Sequence, residues 1–170
     1  MFNDYQKQAL KTAIKLELNY TLRGIAGETG EVLQKIWFTR TSTYDLEKEL
    51  GDVFWYCAVS SWLLKEEGES YNFAKVCKSA KGSIFSLDDI TRMLAVAALN
   101  LMEISKKIDR DGLTDTRKSA IIDVVGDMTY YLRYLINFYQ LETSNVLNTN
   151  INKLADRKNR QKIQGDGDNR

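Results

Sequence analysis

Apolar positions recur mostly at three- and four-residue spacing, as in Ala9, Ala13 and Leu16 and again in Ile25, Val32 and Ile36, the period of an amphipathic helix rather than a strand. The pattern predicts helices over residues 3–18, 22–39, 44–66, 87–110, 115–141 and 143–158, an all-α chain. Candidate caps support several starts. Thr43 or Asp45 can accept the free amides of the third helix, Ser86 precedes an acid-rich first turn, and Thr114 or Asp115 can open the fifth. Residues 67–85, with Gly68, Gly82 and scattered Ser and Lys, read as a connector. The third helix is apolar on more than one face, through Leu50, Val53, Phe54, Cys57, Leu63 and Leu64 with Trp55 and Trp62 between them, so it is expected at the centre. The fifth is similar from Ile121 to Phe138, and the double-faced apolarity of both predicts self-association as a homodimer or dimer of dimers.

The pattern also repeats. Setting Glu31 over Glu103 places Ala26 over Ala98, Lys35 over Lys107 and Ile36 over Ile108, while the following helices superpose Gly51-Asp52 on Gly126-Asp127 and Trp55-Tyr56 on Tyr130-Tyr131. The offset is 72 residues for the glutamates and 75 for the aspartates, which predicts a loop three residues longer in the second copy. Two helical hairpins, residues 22–66 and 87–141, are thus expected to form the four-helix core of a bundle. That bundle is read as one domain of residues 1–158, followed by a flexible tail of residues 159–170. The acids are kept unequally: Glu28 falls over Asn100 and Glu49 over Val124.

Composition narrows the chemistry. The 170 residues, 44% apolar and 28% charged, contain neither proline nor histidine. No proline suits long uninterrupted helices. The missing histidine removes Ser-His-Asp and Cys-His nucleophilic sites, His-ligated zinc and Glu-x-x-His di-iron bundles. Lys plus Arg (24) nearly balances Asp plus Glu (23), which argues against general capture by nucleic acid or an anionic membrane. Cys57 and Cys77 lack metal-ligand spacing, and no apolar run approaches the ~20 residues of a membrane span. These features, with no visible signal peptide, predict free thiols in a cytosolic, reducing compartment.

What remains for catalysis is oxygen chemistry, and the first hairpin concentrates it. Glu28 and Glu31 lie three apart on one helix, Glu49 and Asp52 three apart on the next. Each pair therefore shares a helix face, and a hairpin can turn both into one gap as oxygen ligands for a hard divalent cation. Acid pairs at this spacing are common in solvated helices. Asp52, however, sits in Leu50-Gly51-Asp52-Val53-Phe54-Trp55, where desolvating a carboxylate is costly without a compensating partner. Gly24, Gly27 and Gly30 interleave the first pair at up to ~1 kcal/mol each relative to alanine, which suggests bulk being kept from a close-packed helix or a ligand.

The segments Gly27-Glu28-Thr29-Gly30-Glu31-Val32 and Glu49-Leu50-Gly51-Asp52-Val53-Phe54-Trp55-Tyr56 resemble the signature of MazG-like all-α nucleoside triphosphate pyrophosphohydrolases. Asn3-Asp4-Tyr5-Gln6 is similar to the first helix of small members, and residues 150–157 with 165–170 to their C-terminal helix and tail. The resemblance covers roughly residues 1–64 and 124–170; the ~75 residues interposed are also the repeat offset, an arrangement resembling the tandem build of dimeric all-α dUTPases.

The resemblance implies magnesium, or manganese, held by Glu28, Glu31, Glu49 and Asp52, with cleavage of a nucleoside triphosphate to monophosphate and pyrophosphate. Glu31 is favoured as the base. Asn150, Lys153 and Arg157, on one helical face, are the candidate phosphate contacts; without the resemblance they read as a solvated basic helix end. Trp37, Trp55, Tyr56, Tyr130 and Tyr131 are read as core or interface aromatics before base-stacking ones. Three alternatives stay open: a base-selective dUTPase-type pyrophosphatase, a non-catalytic helical regulatory protein, and a nucleic-acid-binding bundle using the basic stretch from Arg157 to Lys162. Stable nucleic-acid or membrane binding is not expected.

Overall fold

The computed structural model describes residues 1–39, 42–79 and 85–162. Among them run seven helices and no strand: α1 (Phe2–Thr12), α2 (Leu18–Phe38), α3 (Thr43–Leu63), α4 (Phe73–Val76), α5 (Leu87–Asp111), α6 (Asp115–Phe138) and α7 (Thr143–Asn159). The all-α expectation holds. The hairpins α2–α3 and α5–α6 pack on each other mainly through α2 against α5, while α1 and α7 lie on the outer side of α3. The short α4 bridges α1, α3 and α6.

Amphipathic helices hold together because their apolar stripes meet. Leu22, Ile25 and Val32 of α2, Leu50, Val53, Phe54 and Cys57 of α3, Leu94 and Leu101 of α5, and Val125, Met128 and Leu132 of α6 are fully buried in one cluster. The apolarity of α3 on several faces is consumed inside the chain, since it touches α1, α2, α4, α6 and α7. Exposed apolar residues include Met93, Val96 and Leu99 of α5, Trp37 and Phe38 of α2, and Tyr44 in the first turn of α3.

Several boundaries differ from the sequence reading, each for a local reason. The first helix stops at Thr12 instead of residue 18. Leu16 and Ile14 prove exposed, so the periodic pattern has no surface to bury there, and the Thr12 hydroxyl accepts a hydrogen bond from Trp55 Nε1 at 2.9 Å. The cap of α3 is Ser42, one residue ahead of the expected Thr43, and its hydroxyl accepts from Asp45 N. Ser86 caps α5 with Asp89 completing a capping box, and Thr114 caps α6, both as expected. After α5 the chain turns at Gly112, whose φ of 84° favours glycine.

The connector contains α4, which its composition concealed. Fully buried Gln6 fixes this segment: its Oε1 accepts from Asn72 N at 2.9 Å and Phe73 N at 3.3 Å, and its Nε2 donates to Ala58 O and Ser61 Oγ, both at 2.8 Å. Gly82 and residues 163–170, which include most of the expected tail, lie outside the described residues. The three extra residues of the second copy do not lengthen its loop. With the 75-residue offset the end of α3 at 63 falls on the end of α6 at 138, and the insertion becomes an additional first turn of α6. No helix among the described residues is long and apolar enough to cross a membrane.

Candidate carboxylate site

Glu28 and Glu31 stand on consecutive turns of α2, and Glu49 projects from the facing α3. One carboxylate oxygen from each lies within 4.8 Å of the others, the expected convergence for three of the four acids. Glu49 is 2% exposed, whereas Glu31 is open to solvent. Three acids this close, one of them buried, repel one another. Burial first, then the charges of Asp52, Glu31 and Glu49, push the Glu28 carboxyl up to about 8, with Lys153 opposing.

Two lysines answer that charge. Lys35 Nζ lies 2.9 Å from Glu49 Oε1. The sequence reading used Lys35 only to mark the repeat, although it stands four residues after Glu31 and thus on the same face of α2. Lys153 of α7 pairs with Asp52, so Asp52 stands beside the three-glutamate cluster rather than within it.

Helix α7 reaches Asp52 because Gly51 lets it approach. A Cβ on Gly51 would meet Asn150 Cβ at 2.8 Å and the Val146 carbonyl oxygen at 3.2 Å. Fully buried Asn150 donates from Nδ2 to Asp52 Oδ1 at 2.7 Å, and its Oδ1 accepts from the Tyr5 hydroxyl at 2.8 Å. Tyr5 therefore settles which way the Asn150 amide faces, a supporting role hidden in the sequence because its two partners are 46 and 145 residues away. Burial raises the Tyr5 hydroxyl well above its ordinary value, keeping it a donor. Arg157 stands one turn beyond Lys153 and is 4% exposed, so α7 does not end as a solvated basic face there.

The glycines divide. On Gly24 a Cβ would lie 2.2 Å from the Tyr56 ring, whereas Gly27 and Gly30 have nothing described within 4 Å, so of these three Gly24 alone serves close packing. The aromatics are mostly structural, as expected: Trp55 is buried and Tyr56 half-buried, while Trp37 remains 46% exposed with Nε1 donating to Thr91 Oγ1 at 3.1 Å.

The surroundings of the paired acids decide the affiliation. The model of the MazG nucleotide pyrophosphohydrolase domain matches residues 17–81, a stretch holding Glu28, Glu31, Glu49 and Asp52. A Gene 37 protein of Mycobacterium phage L5 is 37% identical over 91 residues, which span 52% of this chain and 80% of that protein. This chain belongs to the MazG family. No solved structure matches it. The MazG match ends at residue 81, before the second hairpin.

As a cofactor site, this MazG cluster offers only hard oxygen donors. No thiol joins it, the two free cysteines being Cys57, buried, and Cys77, and the chain has no histidine. Such a donor set fits magnesium or manganese better than zinc or copper.

Proposed function

We propose that the chain hydrolyses ribo- or deoxyribonucleoside triphosphates to the monophosphate and pyrophosphate, with a divalent cation held by Glu28, Glu31, Glu49 and Asp52. The observation that carries this reading is the convergence of three carboxylates, one buried, inside the stretch matched by the MazG domain. Magnesium, or manganese, would neutralise phosphate charge and stabilise the leaving pyrophosphate.

The protein's own groups divide the remaining work. Glu31 is exposed, and none of the described ion pairs engages it, so its carboxylate is available to take a proton from the attacking water. The water oxygen bonds to the α-phosphorus, the bond from that phosphorus to the α–β bridging oxygen breaks, and the proton passes to Glu31. Lys153 and Arg157 hold phosphate oxygens from α7. Asn150, fully buried, acts on the substrate through Asp52, whose carboxylate it orients. Lys35 pairs with Glu49 and offsets its buried charge.

The unit is one MazG domain of residues 1–158, built from a duplicated hairpin and followed by a tail of residues 159–170. It acts as a homodimer or dimer of dimers, with exposed Trp37 and Phe38 as part of the contact. Such an activity would serve to clean or remodel nucleotide pools.

The test is pyrophosphate detection across the common ribo- and deoxyribonucleoside triphosphates with magnesium or manganese. At least one is expected to yield monophosphate and pyrophosphate, with Glu49→Gln and Asp52→Asn losing both turnover and cation binding. No pyrophosphate from any substrate, or wild-type turnover in both variants, overturns the reading.

A further inference from the structure

A cleft of about 270 Å3 opens between α5 and α6, away from the carboxylate cluster. Its position is that of the cluster carried over to the second hairpin. A shift of 72 residues takes Glu28 to Asn100, and a shift of 75 takes Glu49, Asp52 and Tyr56 to Val124, Asp127 and Tyr131, all four of which line the cleft.

The packing repeats along with the positions. A Cβ on Gly126 would meet Lys78 Cε at 2.8 Å and the Val76 carbonyl oxygen at 3.0 Å, the counterparts of Asn150 and Val146 over Gly51. Lys78 Nζ pairs with Asp127 at 2.7 Å as Lys153 pairs with Asp52. Lys78 is in turn anchored to α6, its N–H donating to Thr129 Oγ1 at 3.0 Å and its carbonyl accepting from Arg133 Nη1 at 2.9 Å. Residues 76–78 thus do for α6 what α7 does for α3.

The chemistry is what differs. Two carboxylates have become Asn and Val, Asp127 is matched by Lys78, and Arg92 of the lining is matched by Asp88 at 2.6 Å. Neither sign of charge is left over to hold a cation or a triphosphate. The Asn100 amide and the Tyr131 hydroxyl make no hydrogen bond among the described residues, and they stand beside the apolar side chains of Met93, Val96 and Val124. Apolar walls with a few convergent polar groups are the composition of a small-molecule site, and the volume lies just under the ~300–1,000 Å3 of drug-sized pockets. A side-chain amide offers one donor and one acceptor edge in a plane, complementary to the lactam or amidine edge of a heterocyclic base. A tyrosine face stacks on any such base.

We propose that this cleft binds an uncharged nucleoside without a metal ion, the base paired to the Asn100 amide and set against Tyr131. The choice of a nucleoside among planar heterocycles rests on the nucleotide chemistry proposed above; the cleft, its neutral lining and its uncommitted amide do not.

The experiment is saturation-transfer NMR on the full chain in EDTA with uridine, cytidine, adenosine and guanosine and their 2′-deoxy forms. At least one is expected to receive saturation at its base protons. Asn100→Leu, an exposed and fold-neutral change, should weaken binding by about five- to tenfold, and Glu49→Gln should leave it unchanged. The proposal is overturned if no nucleoside receives saturation, if Asn100→Leu binds as the wild type does, or if Glu49→Gln removes binding. It is equally overturned if sedimentation shows a dimer that Val96→Asp dissociates while no nucleoside binds, since a second copy then covers the cleft. The assay contains neither triphosphate nor divalent cation, so its failure and a failure of pyrophosphate release are separate results.

Discussion

Cation binding at the carboxylate cluster should expel a proton, and the structure sets how many. Burial together with the charges of Asp52, Glu31 and Glu49 brings Glu28 to about 8. A carboxyl with that value is about nine-tenths protonated at pH 7 and about one-tenth at pH 9, so each cation bound should release about 0.9 and about 0.1 proton respectively. Titration calorimetry of manganese or magnesium in buffers of different ionisation enthalpy reads the number as a slope. The same shift governs stability without metal. The folded value lies above the unfolded 4.5, so the folded chain keeps a proton that the unfolded chain has lost. The stabilisation is complete below about pH 4.5 and is lost as pH rises through about 8, a span of about 5 kcal/mol. Melting in EDTA should therefore occur at lower temperature at about pH 9 than at about pH 6, and the cation should remove most of the difference. A calorimetric enthalpy at pH 7 independent of the buffer, or a melt in EDTA that does not fall over that range, refutes the reasoning.

Other perturbations test the scaffold. Gly51→Ala drives a Cβ into α7, 2.8 Å from Asn150 Cβ and 3.2 Å from the Val146 carbonyl, and should cost ~1–3 kcal/mol in urea unfolding while lowering turnover. Gly27→Ala meets nothing within 4 Å in an exposed helix and should instead stabilise by up to ~1 kcal/mol in the same assay. Gln6→Leu leaves the amides of Asn72 and Phe73 and the Ala58 carbonyl without their buried partner and should destabilise by ~2–4 kcal/mol, a loss that Gln6→Glu does not repair because Nε2 is the donor. The Ser105 hydroxyl is buried with no hydrogen-bond partner among the described residues, so Ser105→Ala should be neutral or raise the melting temperature by ~2–4 °C.

The sequence was most legible where period alone decides structure. The long helices bury the apolar stripes that their spacing drew, and Ser86 and Thr114 cap as their chemistry requires. Period failed where tertiary contact decides. Leu16 continues a helical stripe with Ala9 and Ala13, yet it stays 46% exposed, while α4 is only four residues long and is held by Gln6, which lies 66 residues before Asn72. The site divides in the same way. Glu28, Glu31 and Glu49 were readable because i, i+3 spacing on adjacent helices brings acids together without further information. The roles of Tyr5, Asn150 and Lys35 were not, because each depends on a partner on another helix.

The unequal halves follow from how each aspartate is neutralised. In the first hairpin Lys153 and Asn150 come from α7, a helix of 17 residues that packs on α3, and both engage Asp52 beside three more acids. That charge is met by Lys153 on Asp52, by Lys35 on Glu49 and by the proton that Glu28 keeps at pH 7. In the second hairpin the corresponding support is the end of a four-residue helix and the two residues after it, which supply the lone Lys78. One lysine balances Asp127 and nothing else. Val124 and Asn100 stand where the first hairpin has Glu49 and Glu28, and the cleft is without that repulsion. The second hairpin thus lacks both the acids and a long supporting helix, and Asn100→Glu, at an exposed position, should leave stability in urea unfolding unchanged to within ~0.5 kcal/mol.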